Sequence, residues 1–379
     1  MRLSGCASGV DIFTQIVEGF WPRISFAAVS GASMSGDGSV AVWCVHRARH
    51  GEATAEVHCN YWRVAGDADF KGKNGRVRDF LELGVWLSEP TQVAKVNIFL
   101  PFSLLLTAIE DCAPYFARVE IAQGIFNEPL TCNSRRGPQC VELIKEGTPF
   151  CRVHIFMTNN GALDERQLAV SENSGGTLLT ITRQAIDEVC TNLAAGSPVY
   201  FRLRIYIESK EPFVRTITPR DRLFQSGFDE VEYVDLRLNE ARTLPNRVEN
   251  LMLADAADRP PVTLTRVAFL TAVPVLADVT LSSRLLHKSR LLEHNFWNDY
   301  VPSGIPDGMM VYHWREIDPA GIKDFSAFVK MQTRRTGRQI LKNYLIIAFA
   351  FGVLGNLTAS AIEPSLTSAL SFLASLFGK

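Results

Sequence analysis

The sequence predicts a mainly β fold: a β-rich α+β body of antiparallel, sandwich-like sheets with a few helices, followed by one C-terminal transmembrane helix. Three observations lead there. Alternating or β-branched runs between turn clusters dominate the chain before the C-terminal region. The composition, 47% hydrophobic and 21% charged, is that of a folding globular chain rather than a disordered one. A stretch of twenty residues without a charge, Asn343 to Ile362, then matches the length a helix needs to cross a ~30 Å hydrocarbon core.

In chain order, strand patterns are expected at Arg23 to Ser30, Ser39 to His46, Thr54 to Val64, Phe80 to Ser88 and Val93 to Leu100. Helical spacing follows at Ser103 to Ala122, then a strand at Arg152 to Thr158 and a helix at Thr182 to Ala195. Further strands are expected at Val199 to Glu208, Val231 to Leu238, Val262 to Leu276 and Met309 to Ile317, with a weaker helix at Asn246 to Ala256. Gly196-Ser197-Pro198 ends a helix and precedes a long strand. We therefore divide the body into residues 1–197, with helices near 103–122 and 182–195, and a second β-rich region, 198–333, able to pack with the first.

Residues 334–342 form a basic juxtamembrane segment, in which Arg334, Arg338 and Lys342 recur every four residues beside Arg335. These bases suit anionic lipid headgroups, and only Lys379 follows the apolar stretch. The positive-inside rule thus leaves the N-terminal body in the cytoplasm. Nine strongly apolar residues in 343–362 together favour insertion by roughly 3 to 5 kcal/mol. Ala348, Gly352, Asn356 and Ser360 share one helix face of small or polar groups, which favours self-association in a bilayer. Residues 365–379 are too short to span and read as an interfacial or re-entrant tail.

Outside the C-terminal region the chain is mildly acidic, so no nucleic-acid footprint is expected. The eight scattered cysteines fit reduced thiols, and no export signal is read at the N-terminus, where Leu3-Ser4-Gly5-Cys6 lacks a preceding apolar run. Gly31-Ala32-Ser33-Met34-Ser35 lacks the last glycine of a nucleophile elbow. The loop from Gly66 departs from calcium and phosphate motifs at Lys71, Asn74 and Arg78. Cys132, Cys140, Cys151 and His154 are weak zinc candidates whose spacings match no common site.

The strand from Tyr200 places Tyr200, Arg202, Arg204 and Tyr206 on one face, which is expected to face solvent and could hold an anion or stack a base. Tyr312, His313 and Trp314 bring polar-tipped aromatics together on another strand. His46, His58 and His154 fall in strands with no carboxylate at motif spacing, so no catalytic residue, cofactor or metal is nominated. The expected protein is a membrane-anchored, non-enzymatic sensor or effector. Its cytoplasmic body binds a partner or small ligand, and its C-terminal helix forms homo-oligomers. A tethered enzyme with dispersed catalytic residues and a soluble assembly protein with a packing helix are the alternatives.

Overall fold

A computed structural model describes residues 38–67, 70–73, 77–133, 139–194, 196–207, 213–217, 228–334, 341–358 and 360. The expected strand at Arg23 to Ser30, the Leu3–Cys6 and Gly31–Ser35 segments, Arg335, Arg338 and the tail 365–379 lie outside them, as does the side chain of Arg334.

The described chain opens with β1 (Ala41–His46), β2 (Thr54–Trp62), β3 (Phe80–Leu87) and β4 (Val93–Leu100). A short β5 (Ile109–Asp111) leads to α1 (Val119–Phe126), then β6 (Leu130–Asn133), β7 (Cys140–Lys145) and β8 (Thr148–His154). The small pair β9 (Thr158–Asn159) and β10 (Ala162–Leu163) is followed by β11 (Leu168–Asn173), β12 (Gly176–Ile181) and α2 (Arg183–Cys190). Next come β13 (Val199–Tyr206), β14 (Val214–Ile217), β15 (Phe228–Leu238) and α3 (Asn246–Asp258). The last strands are β16 (Thr263–Pro274), β17 (Ala277–Ser282), β18 (Lys288–Leu291), β19 (Met309–Ile317) and β20 (Phe325–Arg334), with the one-turn α4 (His294–Trp297) after β18. Finally, α5 covers Leu341–Thr358.

A ten-stranded sheet ordered β18-β19-β16-β2-β3-β13-β8-β7-β6, with β5 also paired to β13, forms the centre. Pairing is antiparallel except at β2–β16 and β8–β13. Two four-stranded sheets, β1-β4-β12-β11 and β14-β15-β20-β17, supply apolar side chains to a shared core. The period of two explains the layering. Val57, Cys59 and Tyr61 of β2, Leu83 and Val85 of β3, Phe201 and Leu203 of β13, and Val267 and Phe269 of β16 all enter that core. Strands from both sides of residue 197 share the large sheet, and the described residues belong to one unit, Gly36–Lys379.

The expected helix over 103–122 is corrected. Ile109–Asp111 is a strand on β13, flanked by short 3-10 turns, and the helix begins only at Val119. Pro114 cannot donate to a helical ladder, and the Asp111 carboxylate instead accepts the backbone N–H groups of Ala113 at 2.9 Å and Phe156 at 2.8 Å. The α5 helix is long and apolar enough to cross a membrane, with mean hydropathy 1.3, and none of that window is buried.

Candidate functional site

On the ten-stranded sheet, the residues that do not enter the shared core form a second, polar face. Glu56, His58, Asn60 and Trp62 of β2 stand on it, beside Glu82, Gly84 and Trp86 of β3, Arg202 and Arg204 of β13, Arg266, Ala268 and Ala272 of β16, and His313 and Arg315 of β19. Part of this face is roofed by α1 and the segment around α4, whose Trp297, Tyr300 and Val301 pack with Trp62, Phe80 and Ile121. Between roof and sheet lies a cleft of about 510 Å³. Its size is that of a small-ligand site. Within the roof, Gly124 lets α1 approach α4, since a Cβ there would lie 2.6 Å from Trp297.

Arg202 and Arg204 are not on a solvent face, and that expectation is corrected. Both are fully buried, as is Tyr200, while Tyr206 is half-buried. Two fixed charges can occupy such a place only with acceptors around them. Glu82, itself fully buried, supplies them: Arg202 Nη2 donates to it at 2.5 Å and Arg204 Nε at 2.9 Å. Arg204 also pairs with Glu110 at 3.1 Å and lies 4.6 Å from the ring centroids of both Phe80 and Tyr300. The Tyr206 hydroxyl donates to Glu110 at 2.6 Å. Burial alone would raise the Glu82 carboxyl, but the two guanidinium groups overcome it and hold the pKa below the usual carboxylate range. Alternation along β13 gave no warning of this, because the roof that covers the face comes from distant segments, α1 before it and the residues around α4 after it, Tyr300 lying 98 positions from Arg202.

Of the four expected ligand-binding residues, only Arg202 lines the cleft. Tyr200 lies beneath it, its hydroxyl 3.1 Å from His58 Nδ1 and 2.9 Å from Arg202 Nη1. That reach depends on Gly84, opposite Arg202 on β3: a Cβ there would sit 1.9 Å from the Tyr200 hydroxyl oxygen. Trp86 adds an aromatic wall, meeting Phe126 and Phe150 edge to face at centroid distances of 5.7 and 5.2 Å.

The other wall is cationic. Five basic side chains, Arg202, Arg266, Lys288, Arg290 and Arg315, line the cleft against Glu56 and Glu128. Internal partners take up several of them: Arg266 pairs with Glu56 at 3.0 Å, Arg290 with Glu293 at 2.6 Å, and Lys288 donates to Asn127 at 3.1 Å. Arg315 is exposed to solvent, whereas the buried atoms Arg266 Nε and His313 Nε2 have no hydrogen-bond partner among the described residues. Buried polar atoms are normally satisfied, so these two atoms are short of partners. Desolvation and the neighbouring cations lower His58 to about 3 and His313 to about 4, so both rings are neutral at pH 7.

Sequence reading missed this wall because its members come from four separate strands, β13, β16, β18 and β19. The signal was present in the alternation Arg266-Ala268-Leu270-Ala272 and Val311-His313-Arg315. It is also why Tyr312, His313 and Trp314 do not act together: Trp314 is buried in the shared core, stacked on Phe269, while His313 lies on the cleft face. Glu56, two residues before His58, lies 4.0 Å from its Nε2, a neighbour that no motif spacing had marked.

The zinc candidates do not converge. Cys140 pairs with His154 on the shared-core face, whereas Cys132 and Cys151 align with Leu143 on the opposite face. Among the described residues no group of three or more His, Cys, Asp or Glu could hold a metal ion. On α5, Ala348, Gly352 and Asn356 are exposed, as are Lys342 and, past its last residue, Ser360, and a Cβ at Gly352 would meet nothing within 4 Å. No protein-family model matches the chain, and no curated protein is similar to it in sequence.

Proposed function

We propose that this chain is a membrane-tethered binding protein, a sensor or effector whose strand-rich body takes up a small anionic ligand in the basic cleft. One observation carries the reading: the buried atoms Arg266 Nε and His313 Nε2, which have no hydrogen-bond partner among the described residues, share one cleft with the exposed cation Arg315. A ligand bearing a compact negative charge would supply what the protein does not. Tethering rests on α5, which is apolar, exposed and preceded in sequence by Arg334, Arg335 and Arg338. In this reading the body is cytoplasmic, the basic segment meets anionic lipids, and the Ala348–Gly352–Asn356–Ser360 face joins copies of the chain.

The tethered enzyme keeps one specific observation in its favour, because Glu56, His58 and Tyr200 meet beside the cleft as an acid–base enzyme would require. Binding is preferred because His58, held near 3, is a weak base at neutral pH. Two measurements test the proposal on the full chain. After carbonate washing the protein should stay in the membrane pellet; recovery in the supernatant overturns the tether. Calorimetric titration with inorganic phosphate and pyrophosphate should give saturable binding that Arg315→Ala weakens at least roughly fivefold. Unaltered binding in that variant removes the cleft from the reading.

A further inference from the structure

The cleft is divided rather than uniformly basic, and the division follows strand order. Trp86 on β3, Glu56 on β2 and Arg266 on β16 occupy one cross-strand row, two strand spacings, or about 10 Å, from end to end. In the next row Gly84, His58, Ala268 and Arg315 stand side by side. Over Gly84 lies the Tyr200 hydroxyl, so His58 and Tyr200 form the floor between the Trp86 side and the Arg315 side. Phe126 and Phe150 gather with Trp86, and His313 gathers with Arg315 and Lys288. Flat apolar rings are therefore collected at one end, and Arg266, His313 and Arg315 at the other.

Building on the anion-binding reading, we propose that the ligand is a nucleoside phosphate, with its base against Trp86, Phe126 and Phe150 and its phosphate toward Arg266, His313 and Arg315. A free phosphate ion would use only the cationic end and leave three half-buried aromatic side chains facing water. An inositol phosphate carries its polarity all round the ring and finds no matching donors on the aromatic wall. A nucleoside phosphate has one planar π-face and one compact anion joined by a short spacer, which is the arrangement of the two walls. Stacking on aromatic side chains tolerates any base, so the geometry selects the class of ligand and not the particular base.

The test uses the full chain in detergent micelles, titrated with AMP, ribose 5-phosphate and inorganic phosphate. AMP should bind roughly tenfold or more tightly than ribose 5-phosphate, since only the base is added. Trp86→Leu, which keeps apolar bulk and removes the ring, should erase that difference while leaving ribose 5-phosphate affinity unchanged; Phe150→Leu serves if the first variant does not fold. Arg315→Ala should weaken all three ligands together. Equal affinity for AMP and ribose 5-phosphate overturns the nucleoside assignment and leaves the anion site standing. Binding of none of the three overturns both.

Discussion

Replacing Glu82 by Gln removes one negative charge from a place that no solvent reaches, while keeping the shape of the side chain. In the folded protein this carboxylate stands between Arg202 Nη2 at 2.5 Å and Arg204 Nε at 2.9 Å, and it accepts the Trp62 indole N–H at 3.2 Å. Among the described residues Glu110, 27% exposed, would remain as the only carboxylate paired with either arginine. Breaking a buried ion pair from one side costs about 3 to 5 kcal/mol, since the remaining charge keeps its desolvation penalty. Against a typical stability of about 5 to 15 kcal/mol that is about a fifth or more of the total. Urea denaturation of the full chain, followed by tryptophan fluorescence and far-UV circular dichroism, should show the midpoint falling accordingly. Glu82→Gln with Arg202→Met removes both charges and should recover a large part of the loss. A cost below about 1 kcal/mol for the single variant, or a double variant no better than the single, would refute the network as the reason these arginines are buried.

Gly84→Ala should cost about 1 to 3 kcal/mol and detach Tyr200 from His58 and Arg202, seen as a change in the tyrosine near-ultraviolet signal; an unchanged signal would contradict the close approach. His58 is depressed in the folded state to about 3, so its stabilising effect is complete above its unfolded value near 6.5 and is lost as the pH falls toward 3. Relative to His58→Gln, the wild type should therefore lose about 2 to 3 kcal/mol between pH 7 and pH 4.5; parallel pH profiles would mean that the ring is not buried neutral. Gly352→Leu and Asn356→Leu make α5 more apolar, so membrane retention should hold while cross-linked oligomer falls; cross-linking equal to wild type would leave α5 a passive tether.

The strands were legible where alternation was clean. Met309 to Ile317 was read to the residue, and the runs at Thr54, Phe80, Val93 and Val199 were read to within two residues at the ends the structure describes. Those stretches carry apolar residues at every second position and end at turn residues, so local chemistry and final packing agree. The shorter β7, β12 and β17 went unread, because six residues with mixed burial give a weak period. The site was legible only in part. Tyr200, Arg202 and Arg204 were rightly placed on one face, but whether that face is open depends on α4 and Tyr300, which no local pattern ties to β13. The cationic wall needed the register of β16 on β2 and of β19 on β16, and pairing between distant strands leaves no trace in a single sequence.

The parallel seam between β2 and β16 has a consequence for how the molecule comes into being. Thr265 donates to the carbonyl of Ala55, a partner 210 residues earlier in the chain. During synthesis β2 and β3 are made first, and the flank of β2 must stay without its permanent neighbour until more than half of the described body has emerged. Contacts of such sequence separation slow folding. A nascent chain at this stage displays an unclosed strand with Val57, Cys59 and Tyr61 on one side of it, a surface that invites pairing with another nascent chain. The cleft then appears late and all at once, since its floor, its aromatic wall and its cationic wall meet only when β16 and β19 dock. A product that ends between β3 and β16 would carry Trp86 and His58 without the strands that complete the cleft.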